Sequence, residues 1–418
     1  MSLNSAREPF PPAIAQRQEL SAGLTALFAL SVGVVVLSLY ASQPIIGLIQ
    51  SSFGLTTPKA GLVTTFTLLG YASGLLLLVP LTDLVENRRL IITTLAIDVV
   101  ALAAVAHAPN VPLFFVACYV SGVTTSAIQM LVPVAAQLSP EARRGRVVGN
   151  VMSGLMLGIL LSRPIVSLFA EIAGWRSFYS TLASIIAILA VLLSIVLPRR
   201  RPSTSHGYAS LIASMLTILK EEPVLRRRAT YQALCMGAFG VFWTSIALRL
   251  SQPPFSFSQS GIALFALAGA AGAVIAPIAG RIGDRGWTRG GTLAAHASVI
   301  VAMALAEAGG DAMFRASPGV PAGAALALLG AAAVLLDLGV IGDQTLGRRA
   351  INLLRPEARG RMNGLFTGLF FFGAAAGSGL SGLAWSYAGW SGVCLVGAAF
   401  GVAALATFLT ERTVVAER

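Results

Sequence analysis

Four ionisable side chains stand inside otherwise continuous apolar stretches: Asp98, Arg163, Asp337 and Asp343. A charge at the centre of a lipid-spanning helix costs roughly 2.5 kcal/mol or more, which makes each a candidate for function. A buried carboxyl with a movable cation nearby can carry a proton, because burial and the cation act on its ionisation in opposite directions. Arg163 with Asp98, or Arg163 with Asp337, would make such a pair. Each has a plainer reading as well. Asp98 and Asp337 can be structural partners of neighbouring helices, and Arg163 can bind a substrate or form a packing ion pair. Asp343, nearer a helix end, is expected to pair with Arg285 or Arg289.

Other chemistry is poorly supplied. His107, His206 and His296 show no metal-ligand spacing and no Ser/His/Asp arrangement. Cys118, Cys235 and Cys394 each sit in an apolar run, as small packing residues do. No metal, cofactor or catalytic residue is expected, and no glycine-rich phosphate loop supports ATP hydrolysis. The chain does not read as an enzyme.

The elements that carry these residues follow from composition. Of 418 residues, 56% are hydrophobic and 11% charged, against about 25% charged in a soluble domain. Continuous runs such as Leu68 to Pro80 exclude a barrel, whose strands alternate. Hydropathy predicts an all-α membrane protein of twelve helices, near 21–48, 60–81, 89–108, 112–137, 147–170, 176–197, 229–250, 259–282, 290–308, 322–346, 360–384 and 388–409. Residues 1–20 read as a polar cytoplasmic tail rather than a signal peptide, 198–228 as a cytoplasmic linker with an amphipathic piece at Leu211 to Leu219, and 411–418 as a second tail.

The net charge of +12 has a topological explanation rather than nucleic-acid binding. Alternate loops and both tails take 24 of the 29 basic residues, and the opposite side takes four. This distribution predicts that both termini and the linker face the cytoplasm. Trp175 and Trp390, at loop ends on the other face, read as aromatic-belt anchors.

The chain also repeats itself. Pro140-Glu-Ala-Arg-Arg-Gly-Arg146 returns as Pro356-Glu-Ala-Arg-Gly-Arg361, and Gly149 and Ala173-Gly-Trp175 return as Gly364 and Ala388-Gly-Trp390. Two pseudo-symmetric six-helix bundles, 21–197 and 229–410, are predicted, an architecture that suits a rocking transporter.

Two loops give the family resemblance. Gly280-Arg-Ile-Gly-Asp284-Arg285-Gly-Trp-Thr-Arg289, and more loosely Pro80-Leu-Thr-Asp83-Leu-Val-Glu-Asn-Arg88-Arg89, resemble the G-x-x-x-D-R-x-G-R-R signature of the major facilitator superfamily. The resemblance covers nearly the whole chain. It implies the major facilitator fold and a conformational latch at Asp83, Arg88, Arg89, Asp284, Arg285 and Arg289, with Asp343 nearby. The helix 1 segment Tyr40 to Pro44, the helix 2 segment Gly70 to Pro80 and the helix 5 stretch with Gly154, Gly158 and Pro164 resemble the twelve-helix drug and small-solute proton antiporters of that superfamily.

Helix 4 lacks the arginine that many such antiporters use, and Arg163 is expected to take its place. The family lines its path with helices 1, 4, 7 and 10, so Tyr40, Gln43, Gln129, Trp243 and Thr244 become cavity candidates, with interhelical hydrogen bonding as their plainer role. The resemblance implies proton-coupled efflux of a small organic molecule by a monomer in a bacterial inner membrane, with lipid as its other partner. An importer or uncoupled facilitator of sugars, organic acids or amino acids is the alternative. A membrane-embedded enzyme or lipid flippase is the alternative of another class.

Overall fold

A computed structural model describes residues 22–199, 201, 207–317, 321–355 and 358–411. The first predicted tail (1–20), all but the first residue of the second (411–418), Arg200 and Pro202 to His206 of the linker, and Pro356-Glu357 of the repeat lie outside the described residues.

Among the described residues there is no strand, and eleven helices are long and apolar enough to cross a membrane. In chain order spans 1 to 6 are Ala22–Tyr40, Thr57–Asp83, Asn87–His107, Val111–Gln137, Glu141–Ala173 and Trp175–Val196. Spans 7 to 11 are Pro223–Ser251, Gln259–Asp284, Thr288–Ala316, Ala322–Asn352 and Arg359–Leu409. Span 11 has 51 residues, roughly 75 Å of helix against a hydrocarbon layer of about 30 Å. It consists of two arms, broken at Ala388 (φ −142°) and at Gly389 (φ 58°, ψ −144°). Gly174, between spans 5 and 6, also has positive φ, at 82°. The repeated Ala-Gly-Trp is therefore a turn in which glycine takes a conformation that side chains disfavour.

The tryptophans of that repeat are not membrane-surface anchors. Trp175 is 6% and Trp390 1% exposed. Trp175 packs among Phe53, Phe114 and Tyr179, and the Trp390 indole donates to the Ala306 carbonyl at 2.8 Å. The helix starting at each turn directs its first side chain inward, which loop position alone does not reveal.

Small residues let the spans approach. A Cβ on Gly158 would lie 2.3 Å from the Gly33 carbonyl oxygen, and one on Gly373 would lie 1.9 Å from that of Ala233. Gly158 and Gly373 are equivalent under the spacing of the sequence repeat, and each presses on the first span of its own side of the linker. Since the obstacle is backbone, relief requires the helices to separate. Gly158→Ala is expected to cost about 1–3 kcal/mol, seen as a lower melting temperature of the detergent-solubilised protein; an unchanged value would contradict this packing.

The linker helix Tyr208–Glu221 turns Leu211, Met215 and Ile218 inward. Its Tyr208 hydroxyl donates to the Leu77 carbonyl at 2.8 Å. Arg361 donates to Ser214 at 2.9 Å, and Arg355 meets Glu221 and Glu222 at 3.0 and 2.6 Å. The linker thus straps span 2 to the segment between spans 10 and 11.

Candidate functional site

The centre of the molecule is built from spans 1, 5, 7 and 10. Span 1 ends at Tyr40, and residues 41–45 form turns before a helix resumes at Ile46–Phe53. Pro44 lies in this break, and proline lacks the N–H a continuing helix needs. Gln43 is therefore presented from irregular backbone, tolerated at membrane depth only where protein surrounds it, and Tyr40 from the last helical residue before it. Both are buried.

Opposite them, span 5 carries Arg163, only 4% exposed. Its Nε donates to Gln43 Oε1 at 2.8 Å. The guanidinium carbon lies 4.2 Å from the ring centre of Trp243, 5.0 Å from Tyr40 and 5.4 Å from Phe239. Cation–π contacts of this kind are each worth about 2 kcal/mol or more once desolvated. One terminal nitrogen, Nη2, is buried without a hydrogen-bond partner. Asp337 of span 10 completes the group, accepting a hydrogen bond from Trp243 Nε1 at 3.0 Å. The indole joins cation and carboxylate, offering its face to Arg163 and its N–H to Asp337. A Cβ on Gly269 would lie 3.1 Å from Asp337 Oδ2, so the short 3-10 turn Leu267–Ala270 of span 8 leaves the carboxylate its space.

Among the described residues the space beside this junction is small. The cavity bordered by Pro44, Arg163, Trp243 and Phe265 measures about 10 Å³, room for about one water. Away from the linker, Ser167 Oγ of span 5 reaches both the backbone and side-chain oxygens of Gln259 at 2.9 Å. Gly61 of span 2 faces the Ser378 carbonyl of span 11. Toward the linker, Tyr71 meets Phe371 edge-on at 4.7 Å. These contacts join residues before the linker to residues after it on both sides of the junction.

The remaining sequence candidates separate clearly. Asp98 does not meet Arg163. Its Oδ1 accepts from Ser121 at 3.1 Å and Thr124 at 2.8 Å, both on span 4, because its face of span 3 points at that neighbour. Gln129 donates to the Tyr71 hydroxyl at 3.4 Å, and Thr244 bonds Ser378 at 3.0 Å, so both act between helices. Asp343 is not a partner of Arg285 or Arg289: it is 1% exposed and lies 3.4 Å from His296 Nε2 of span 9. It faces inward, whereas the two arginines are exposed.

Asp284, expected from the resemblance to be a latch acid, reaches Arg349 of span 10, Oδ1 to Nε 3.0 Å, while Arg289 lies over the Phe408 ring. Asp83 and Arg89 are exposed and Arg88 is half-buried at the corresponding turn. Since Asp284 is 73% exposed, its ion pair is worth about 1 kcal/mol at most. Asp284→Asn is therefore expected to slow transport about two- to fivefold with unchanged protein level and melting temperature; transport equal to wild type would remove Asp284 from the latch.

Two residues escaped the sequence reading. Phe239 joins the aromatic cage, and its place one helical turn before Trp243 was a usable signal. Arg228, assigned to the linker, is buried in span 7 and donates to Thr292 at 2.8 Å.

The comparisons agree with this architecture. A profile of the Major Facilitator Superfamily matches residues 28–342. The chain belongs to that superfamily. It is 35% identical over 380 residues to the uncharacterized transporter YgaY of Escherichia coli O157:H7, covering 91% of this chain and 93% of that one. It is 30% identical over 376 residues to "Probable transporter SCO4007" of Streptomyces coelicolor, covering 90% and 84%. Among solved structures, a mutant form of the nucleoside transporter NupG superposes with a TM-score of 0.73 at 14% identity, covering 92% of this chain and 99% of that one. A bacterial homologue of the human lysosomal transporter Spinster, inward-facing and unoccupied, gives 0.64 at 14% identity, covering 92% and 93%. These two likenesses show the superfamily's fold. The chain is thus a multi-pass membrane transporter and not an enzyme, and its superfamily points to a small-molecule substrate.

Proposed function

We propose that the chain is a secondary active exporter that exchanges protons for a small organic molecule by alternating access. With the break at Ala388–Gly389 counted, it crosses the membrane twelve times as two six-helix bundles. The excess of basic residues on alternate loops and both tails supports a reading in which the linker and both termini face the cytoplasm of a bacterial inner membrane. The observation that carries the reading is the junction itself: Arg163 before the linker and Asp337 after it meet across one indole.

In this reading Asp337 carries the proton and Arg163 senses it. Ionised, Asp337 holds the Trp243 N–H by a charge-assisted bond and keeps the indole flat on the guanidinium. Protonated, it keeps only a weaker, neutral hydrogen bond to the ring, the cage loosens, and the bundles rock open toward the cytoplasm. A solute entering beside Arg163 displaces the proton to that side, and the loaded carrier rocks outward.

Everted membrane vesicles containing a pH-sensitive dye test the assignment. In energised vesicles an exporter moves an added solute inward and protons outward, so a panel of small organic solutes should contain members that raise the internal pH. Solute entry with no pH response would assign a facilitator instead.

A further inference from the structure

We propose that the chain binds one transition-metal ion, zinc by preference, between spans 7, 9 and 10 through Cys235, His296 and Asp343. These residues lie far apart in sequence, so spacing conceals them. In the fold, one ligand atom from each lies within 4.8 Å of the other two. Cys235 and His296 are fully buried and Asp343 is 1% exposed.

The cluster is not explained by hydrogen bonding. His296 Nε2 and Asp343 Oδ1 approach to 3.4 Å, yet both atoms, and His296 Nδ1, lack a hydrogen-bond partner. Leaving such atoms unmet in a dry interior costs about 1–3 kcal/mol each. A tetrahedral zinc with bonds of about 2.0–2.2 Å sets neighbouring nitrogen and oxygen ligands about 3.4 Å apart, the separation already present. Cys235 completes three ligands with a small side-chain adjustment.

The donor set also selects the metal. Thiolate, imidazole and carboxylate together suit zinc and its neighbours rather than magnesium or calcium. A thiolate and a carboxylate carry two negative charges, so a divalent ion makes the site neutral, as a low-dielectric interior requires; binding releases the thiol proton. Gln232, one turn before Cys235, donates to the Val340 carbonyl one turn before Asp343. Its buried Oε1 is unpartnered, and the fourth position would go to it or to a water. Tyr231 and Phe408 meet the imidazole edge-on at 5.6 and 5.7 Å and shield it. Arg228, two turns before Cys235 on span 7, is held by Thr292.

Such an ion would be a structural clamp. Cys235 shares span 7 with Trp243, and Asp343 shares span 10 with Asp337, so the clamp would fix the two helices that present the indole and the carboxylate. The proposal does not depend on transport direction or proton coupling.

The test uses the purified full-length protein in detergent, stripped with a chelator and titrated with Co²⁺. Wild type should take up about one equivalent, with a thiolate-to-cobalt charge-transfer band that Zn²⁺ abolishes. Cys235→Ser should lose the band and weaken zinc binding at least tenfold, while Cys118→Ser and Cys394→Ser should retain both. As a readout independent of the cysteine, Zn²⁺ should raise the melting temperature of wild type by several degrees and leave that of Asp343→Asn unchanged. No cobalt uptake by wild type, or a band that survives Cys235→Ser, would overturn the site.

Discussion

Asp337→Asn is expected to abolish pH-gradient-driven transport, by about a hundredfold or to background, while leaving solute exchange in the absence of a gradient largely intact. Asparagine keeps the shape of the side chain and an oxygen that can accept the Trp243 N–H, now 3.0 Å away. What disappears is the ability to gain and lose a proton. The bilayer-interior position makes water a poor substitute carrier, since Asp337 is 5% exposed and the adjoining cavity admits about one water. Accumulation assayed in everted vesicles beside counterflow in proteoliposomes separates the two effects. Loss of both would assign Asp337 to solute binding or folding, and retention of both would remove it from coupling.

The second large effect concerns the gate away from the linker. Ser167 of span 5 and Gln259 at the start of span 8 are in hydrogen-bond contact, and alternating access requires these ends to part. With Ser167→Cys and Gln259→Cys combined, oxidation or a short thiol cross-linker should stop transport by more than tenfold, and a reductant should restore it. The native cysteines are all buried, so they need not be replaced. Full transport by a demonstrably cross-linked protein would show that this contact does not open during the cycle.

Much of the fold was legible because membrane helices declare themselves by length and apolarity. The predicted helix 4 at 112–137 became Val111–Gln137, and helix 6 at 176–197 became Trp175–Val196. Where polar residues extend a helix beyond the bilayer, hydropathy falls short: span 10 continues to Asn352 rather than stopping near 346. The predicted gap at 385–387 falls just before the actual break at Ala388-Gly389, although the repeat of Ala-Gly-Trp from the turn after span 5 pointed to it.

Helix rotation was much harder to read. Nothing in the sequence distinguishes an aspartate that faces the central junction from one that faces a neighbour. Asp337 reaches Trp243, whereas Asp98 is held by Ser121 and Thr124. Asp343 was drawn toward exposed arginines by proximity in sequence, yet it faces His296 across the interior. Arg163 was identifiable as a lone cation in an apolar run, but its aromatic cage comes from spans 1 and 7 and needs the fold to be seen.

The central claim is that Asp337 changes protonation when the Arg163–Trp243 junction takes up a solute. Purified protein in a weakly buffered detergent solution reports this directly once the vesicle panel has supplied a responsive solute. Adding that solute to wild type should release about one proton per bound molecule, and adding it to Asp337→Asn should release none while binding persists. Equal proton release from both proteins, or solute binding by wild type with no release, would contradict the account.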